Sequence, residues 1–322
     1  SRLSDGLFQR AVLQSSTCGP IVLQPLTERY TQGEFFKKTW GCEGSATPLD
    51  CTRTQSAIDL RQKLDDAGKS GDLLGGDLIG QEVFRPAAAI DNYVFAAAPH
   101  EAIADSPNDV DVIVGVNLNE FTLFQVAEGN DNPDNTLASY QQLVRDTLAG
   151  VSETDVVELT TNLYPCSNYA TCSDAFSDLF GDAIFACPSI ATADALIANG
   201  NTVRFYEFTQ PIDGGLLLGA TVPVLDNNAP QLGVPHSAEL FYLWNLPVLQ
   251  AGSDPVATVT AMQQYWGSFA GTGEPVSAGN PAWPLYTDNG GEHLEIGENI
   301  TARSGFKIEK CNFINERQLG SG

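Results

Sequence analysis

Residues 110–116 read VDVIVGV, a run in which β-branched and apolar side chains occupy both parities of an extended chain. Side chains alternate between the two faces of a strand, so this run suits a strand covered on both sides, as in a parallel sheet sandwiched by helices. A second central strand is predicted at Val203 to Phe208, VRFYEF, after a helical stretch from Ile190 to Ala198. That alternation predicts an α/β fold, a mostly parallel central sheet flanked by helices.

Residues 24–72 read as mostly helical, and Gly75 to Val83 as a loop rich in glycine. Asp254 and Pro255 open a helix as N-cap and first residue, with Val259, Met262, Trp266 and Phe269 on one face and Gly271 and Gly273 at its end. A short strand at His293 to Ile296 precedes the segment Phe306 to Ile314, which carries Cys311. Asn130 to Asn135 and Asn227 to Gln231 read as polar loops. At the other end, Leu7 to Gln14 reads as a helix end running into a buried strand.

Composition narrows the function classes. Hydrophobic residues at 43% exclude a disordered chain, and no apolar run approaches the unbroken length of a membrane helix, so no transmembrane segment is expected. With 16 Lys and Arg against 40 Asp and Glu, the formal net charge of -24 repels phosphate backbones and argues against nucleic acid as a partner. The seven cysteines contain no Cys-x-x-Cys, and with three histidines in the chain no zinc pattern forms. Disulfides in an oxidising compartment are the better reading, which predicts a secreted or extracellular protein. The sequon Asn299-Ile300-Thr301 suits a glycoprotein of that kind.

Two residues stand out as candidate chemistry. Glu120 follows the predicted strand at 110–116 by a few residues, and the carboxyl ends of such strands are where α/β sheets build sites. Taken alone, the segment also suits a glutamate in a surface loop. His236 lies in Gly233-Val-Pro-His-Ser-Ala-Glu239, fixed by Pro235 and followed by an apolar segment. A structural histidine fits that segment as well as a catalytic one. His100 reads as an exposed residue at a helix start, and His293 begins a late strand. No Gly-x-Ser-x-Gly, the turn that presents a serine nucleophile between strand and helix, occurs in the sequence.

Together these segments resemble the type-B carboxylesterases and cholinesterases, including the related fungal lipases. SRLSDGLFQRAVLQSS at residues 1–16 is similar to the family's Ser-Pro-x-Ser-x-Gly-Leu-Phe-x-x-Ala-Ile-x-Gln-Ser-Gly stretch. Gly115 to Glu120 resembles its acid motif, and Gly233 to Glu239 its histidine motif. Tyr265-Trp266 through Pro275, then Trp283-Pro-Leu-Tyr286, match a later signature. Asn119 stands where many members have aspartate, Phe121 where many have glycine, and Ser16 replaces a glycine.

The resemblance implies an α/β-hydrolase fold and a serine carboxylic-ester hydrolase working through an acyl-enzyme, with no cofactor. Glu120 and His236 would be the acid and base of a Ser-Glu-His triad, with Glu239 a supporting carboxylate. It further implies that residues 1–322 are the C-terminal part of one domain. The serine would lie on an N-terminal portion, about a dozen residues before Ser1, and that portion would be a second polypeptide or an adjoining part of the same product. The same resemblance pairs Cys42 with Cys51 and Cys187 with Cys311; Cys166 and Cys172 are then the local pair remaining, and Cys18 is left over. The rival reading is a cholinesterase-like adhesion or scaffold protein that has lost catalysis, in which neither Glu120 nor His236 would have a chemical task.

Overall fold

The computed structural model describes residues 2–15, 24–68, 89–104, 109–128, 135–148, 151–213, 232–252, 254–288 and 291–319. Its centre is a five-stranded sheet in the order β1 (Arg10–Gln14), β4 (Asp111–Asn117), β5 (Val203–Phe208), β6 (Glu292–Ile296), β7 (Ile300–Ser304). The first four run parallel, and β7 returns antiparallel beside β6 as a hairpin. Two short strands, β2 (Gln24–Pro25) and β3 (Ala89–Ile90), pair separately.

The apolar run at 110–116 behaves as its pattern demands. Val112, Val114 and Val116 enter one buried cluster, while Ile113 enters the cluster on the opposite face. β5 divides in the same way, Val203 and Phe205 to the first side and Tyr206 and Phe208 to the second. Gly115 is glycine because the Tyr206 ring lies across it, and a Cβ there would come within 2.0 Å of Tyr206 Cδ1.

On the first face lies a helical run from Cys172 to Ala198, built of α-helix Cys172–Gly181, a π-helical turn Asp182–Ala186 and α-helix Cys187–Ala198. Thr171 and Asp174 close its start as a reciprocal capping box. The helix predicted at Ile190 to Ala198 is thus the last part of a longer element. By length and composition this 27-residue run is apolar enough to cross a membrane, which corrects the expectation that no stretch approaches that length. Its apolar side chains, Phe176, Leu179, Phe180 and Ile190 among them, pack in the core against the sheet.

The second face is covered by the helix Pro255–Thr272. Asp254 accepts from the Ala257 amide at 3.1 Å, Pro255 opens the helix, and Gly273 closes it at φ 86°. Val259, Met262, Trp266 and Phe269 are all buried, with Trp266 and Tyr206 packed edge to face. Residues 24–68 form the helices Leu26–Thr39, Pro48–Arg53 and Ala57–Gly68.

At the start of the chain the structure departs from the sequence reading. A 3-10 turn occupies Arg2–Ser4, and β1 is half-buried rather than buried, since among the described residues it has one strand neighbour, β4. The β7 strand was not predicted, because Ile300–Ser304 alternates weakly and its outer residues are exposed. The glycine-rich segment 75–83, the loop at 227–231, most of 130–135, and Cys18 lie outside the described residues.

Three disulfides join Cys42 to Cys51, Cys166 to Cys172, and Cys187 to Cys311. The last spans 124 residues and ties the C-terminal helix Ile308–Glu316 to the long helical run. Closing a loop of that length restricts the unfolded chain strongly. Replacing both Cys187 and Cys311 by serine should therefore cost about 2–5 kcal/mol, read as a lower urea midpoint, with an m-value that rises because the released unfolded chain exposes more surface. A midpoint equal to that of the parent would contradict this.

Candidate active site

β4 ends at Asn117, and the chain turns through residues 118–121 before the helix Thr122–Glu128. Glu120 sits in that turn, 2% exposed. One carboxylate oxygen, Oε1, accepts from the Asn117 amide at 2.6 Å and from the Ser15 hydroxyl at 2.5 Å. The other, Oε2, faces Nδ1 of His236 at 2.8 Å. The two candidates, 116 residues apart in sequence, are thus brought together.

The histidine loop is clamped to the acid loop along the backbone. The Asn119 amide donates to Val234 O at 3.0 Å, and the His236 amide to Glu120 O at 3.3 Å. Asn119 adds a side-chain link, its Oδ1 accepting from the Val234 amide at 3.1 Å. Gly233 is required there twice over: its φ is 63°, and a Cβ would come within 2.4 Å of Asn119 Oδ1. After His236, Ser237 takes a left-handed conformation at φ 68° and the helix Ala238–Leu243 begins.

The imidazole packs beside a stacked pair of rings, Phe124 and Phe185, whose centroids lie 5.4 Å and 4.8 Å from it and 6.0 Å from each other. Phe121 is buried against Phe176 and Phe180, anchoring the acid loop to the long helical run. Glu239 does not touch His236. Its Oε2 accepts from the Asn117 side-chain amide and its Oε1 from Gln14 Nε2 at 3.2 Å. Gln14, Ser15 and Asn117 escape a reading of the sequence, since an amide or hydroxyl at a strand end carries no signature. His293 is buried on β6 against Phe306, away from this pair, and His100 falls in the helix Pro99–Ala104.

The carboxylesterase family profile matches residues 1–314. This chain belongs to the carboxylesterase family. It is 27% identical to liver carboxylesterase 1 of Mus musculus over 336 residues, covering 98% of this chain and 56% of that protein. It is 24% identical to carboxylesterase 5A of Felis catus, covering 97% of the chain and 55% of the relative. A medium-chain fatty acyl-CoA hydrolase precursor of Anas platyrhynchos is 25% identical, with 97% and 54% covered. The chain therefore spans about half the length of the curated relatives it matches. Its sheet is that of the family's α/β-hydrolase fold.

Within this carboxylesterase-family chain the charges around the imidazole are arranged in one sense. An ionised carboxylate only accepts, so Nδ1 carries the hydrogen toward Glu120 and Nε2 is left for other chemistry. Burial works against the imidazolium, but the hydrogen bond and charge of Glu120, with Glu239 behind it, outweigh burial and raise the pKa of His236 above 6.5. Burial pushes Glu239 up, the Asn117 hydrogen bond opposes this, and the charge of Glu120 adds to it. His293 is moved the other way, below 6.5, chiefly by burial.

Two histidines with described side chains should consequently titrate on opposite sides of 6.5, which imidazole NMR can read directly. Glu120→Gln should lower the His236 value, because burial remains while the compensating charge is lost. Since the folded pKa is the higher one, the stabilisation from this pair is fully present below about pH 6.5 and fades as the pH rises through the folded value. A His236 resonance titrating at or below 6.5 in the parent protein would contradict the assignment.

Proposed function

We propose that the complete protein is a serine carboxylic-ester hydrolase in which Glu120 and His236 are the acid and base of a Ser-Glu-His triad. The observation that carries this reading is the contact between His236 Nδ1 and a buried carboxylate at the end of the central strand. A structural histidine has no need of a buried charge on one nitrogen, nor of a second nitrogen left free of it.

The serine belongs to a part of the protein outside this chain. Its hydroxyl attacks the ester carbonyl while His236 Nε2 takes the proton, and Glu120 stabilises the imidazolium that forms. The imidazolium returns that proton to the departing alkoxide, leaving an acyl-serine. Water, deprotonated by the same nitrogen, then attacks the acyl carbon, and the proton passes back to the serine as the acid leaves. Glu239 supports the acid loop through Asn117 and Gln14 without touching the imidazole. Raising the base above 6.5 suits it to accept a proton near neutrality.

In this reading residues 1–322 form the C-terminal part of one domain. The N-terminal portion, on a second polypeptide or adjoining residues of the same product, extends the sheet beside β1. The relatives' greater length and the half-buried β1 support that arrangement. The three disulfides and the exposed Asn299 in the β6–β7 turn support a secreted glycoprotein.

Tested on p-nitrophenyl esters with the complete protein, His236→Ala and Glu120→Gln should each lower kcat by about 10⁴ while the fold persists. Near-normal kcat/KM in either folded variant would overturn the assignment. The kcat/KM profile should also fall on the acid side with an apparent pKa above 6.5, since only the neutral imidazole accepts the proton. A complete protein lacking serine at its nucleophile turn would establish the scaffold reading instead.

A further inference from the structure

One short segment of the long helical run touches both members of the acid–base pair. Where α-helix Cys172–Gly181 passes into the π-helical turn, Gly181 lies directly behind the acid loop. A Cβ added at Gly181 would stand 3.4 Å from the Phe121 nitrogen and 3.5 Å from Glu120 Cβ. Four residues on, and so on the same side of the run, Phe185 packs tilted against the His236 ring, 4.8 Å between centroids. π turns are rare and often sit at functional sites; the chain has another at Leu159–Leu163, just before Tyr164, so it is the contacts of Asp182–Ala186 that single it out.

Here the surroundings include a buried ionic cluster. Asp182, the first residue of the π turn, is 2% exposed, and its Oδ1 accepts from Lys307 Nζ while its Oδ2 accepts from the Tyr164 hydroxyl at 2.8 Å. Lys307 also reaches Asp178 Oδ1 at 3.4 Å. Lys310 donates to Asp178 Oδ2 at 2.9 Å and lies 4.0 Å from the Tyr164 ring centre, and Tyr169 donates to the same Oδ2 at 2.5 Å. Two carboxylates thus face two ammonium groups. Burial raises Asp178, but Lys307 and Lys310 outweigh it and bring its pKa down to about 2. Lys307 precedes the C-terminal helix Ile308–Glu316, and one turn later Cys311 is bonded to Cys187, so the ammonium approaches from an element that is itself tied to the run.

We propose that Asp182 is a positioning residue: its ion pair with Lys307 fixes the Gly181–Phe185 segment, which in turn sets the Glu120–His236 geometry. A charge buried in a low dielectric is held tightly when paired and is costly when its partner is removed, so the pair selects one position for the turn. The segment then acts on the acid through Gly181 and on the base through Phe185. This inference rests on the acid–base reading of Glu120 and His236 given above.

The test uses the complete enzyme with Asp182→Asn, which keeps the size of the side chain and a hydrogen bond to Tyr164 but removes the charge. The kcat should fall about 10- to 100-fold with KM within about twofold, the loss expected when reacting groups are slightly misplaced. The acid limb of kcat/KM and the NMR pKa of His236 should both move down, as Glu120 supports the imidazolium less well. Lys307→Arg, which keeps the charge, should lose less than Asp182→Asn. Asp155→Asn is the control: it breaks the 2.8 Å ion pair with Arg317 beyond the far end of the same C-terminal helix and should move neither kcat nor either pKa. Should Asp182→Asn fail to fold, the double variant D182N/K307Q, which removes both buried charges, carries the same expectations. Folded variants with parental kcat and His236 pKa would overturn the proposal, as would Asp155→Asn reproducing both shifts. If His236→Ala in parallel retains activity, the acid–base reading fails, while a lowered NMR pKa for His236 in Asp182→Asn still supports the positioning link.

Discussion

The structure depends on β4 being buried on both faces. A strand in that position is paired along both edges and sends its valines and isoleucine into two opposite cores, so a slip in register would expose them, and its end is fixed relative to the sheet. Asn117 is the last residue of that strand, and its amide reaches forward to Glu120 Oε1. The acid is thus positioned by the most constrained element of the fold, with only two residues between it and the strand's end. Ser15, just past the end of β1, completes the hold from the neighbouring strand, its amide bonded to Gly115 O at 2.8 Å and its hydroxyl to the carboxylate.

Electrostatically the site is an unusual concentration of charge for a buried place. Glu120 and Glu239 are 2% and 1% exposed, with one imidazole, packed beside the Phe124–Phe185 pair, to balance them. Hydrogen bonds make that tolerable. Glu120 draws on a backbone amide and a hydroxyl, Glu239 on two side-chain amides, so neither charge depends on water for satisfaction. Both carboxylates favour the imidazolium, and the site leans toward stabilising positive charge on His236 when a proton arrives.

Much of this could be read from residue order alone. The strands at 110–116 and 203–208 and the helix opened by Asp254-Pro255 followed from periodicity and capping, because burial on both faces and a proline at a helix start leave local marks. Glu120 and His236 were visible as motifs flanking a strand end. What stayed hidden was relational. Nothing near Gly181 says that it will lie against Phe121, and nothing near Asn119 says that its carbonyl oxygen will accept from Val234. The π turn escaped for a related reason: only Ile190 to Ala198 reads as helix, and nothing local to Asp182–Ala186 marks the change of hydrogen-bond pattern there. The apolar length of that run was also hidden, since four aspartates interrupt it; the fold turns its phenylalanines and leucine inward to the sheet and two of those aspartates toward Lys307 and Lys310.

The departure of Asn119 from the family's usual aspartate follows the same logic. An aspartate there would bring a third carboxylate to the rim of a site that already buries two. Asparagine keeps the acceptor oxygen for the Val234 amide and carries no charge. The clamp between the acid loop and the histidine loop is therefore made of neutral contacts: Asn119 amide to Val234, Val234 amide to Asn119, His236 amide to Glu120 carbonyl. None of the three changes when the imidazole gains or loses a proton. The clamp therefore gives the carboxylate and the ring no contact that must be remade when the proton moves, which is the preorganisation a charge-stabilising site needs.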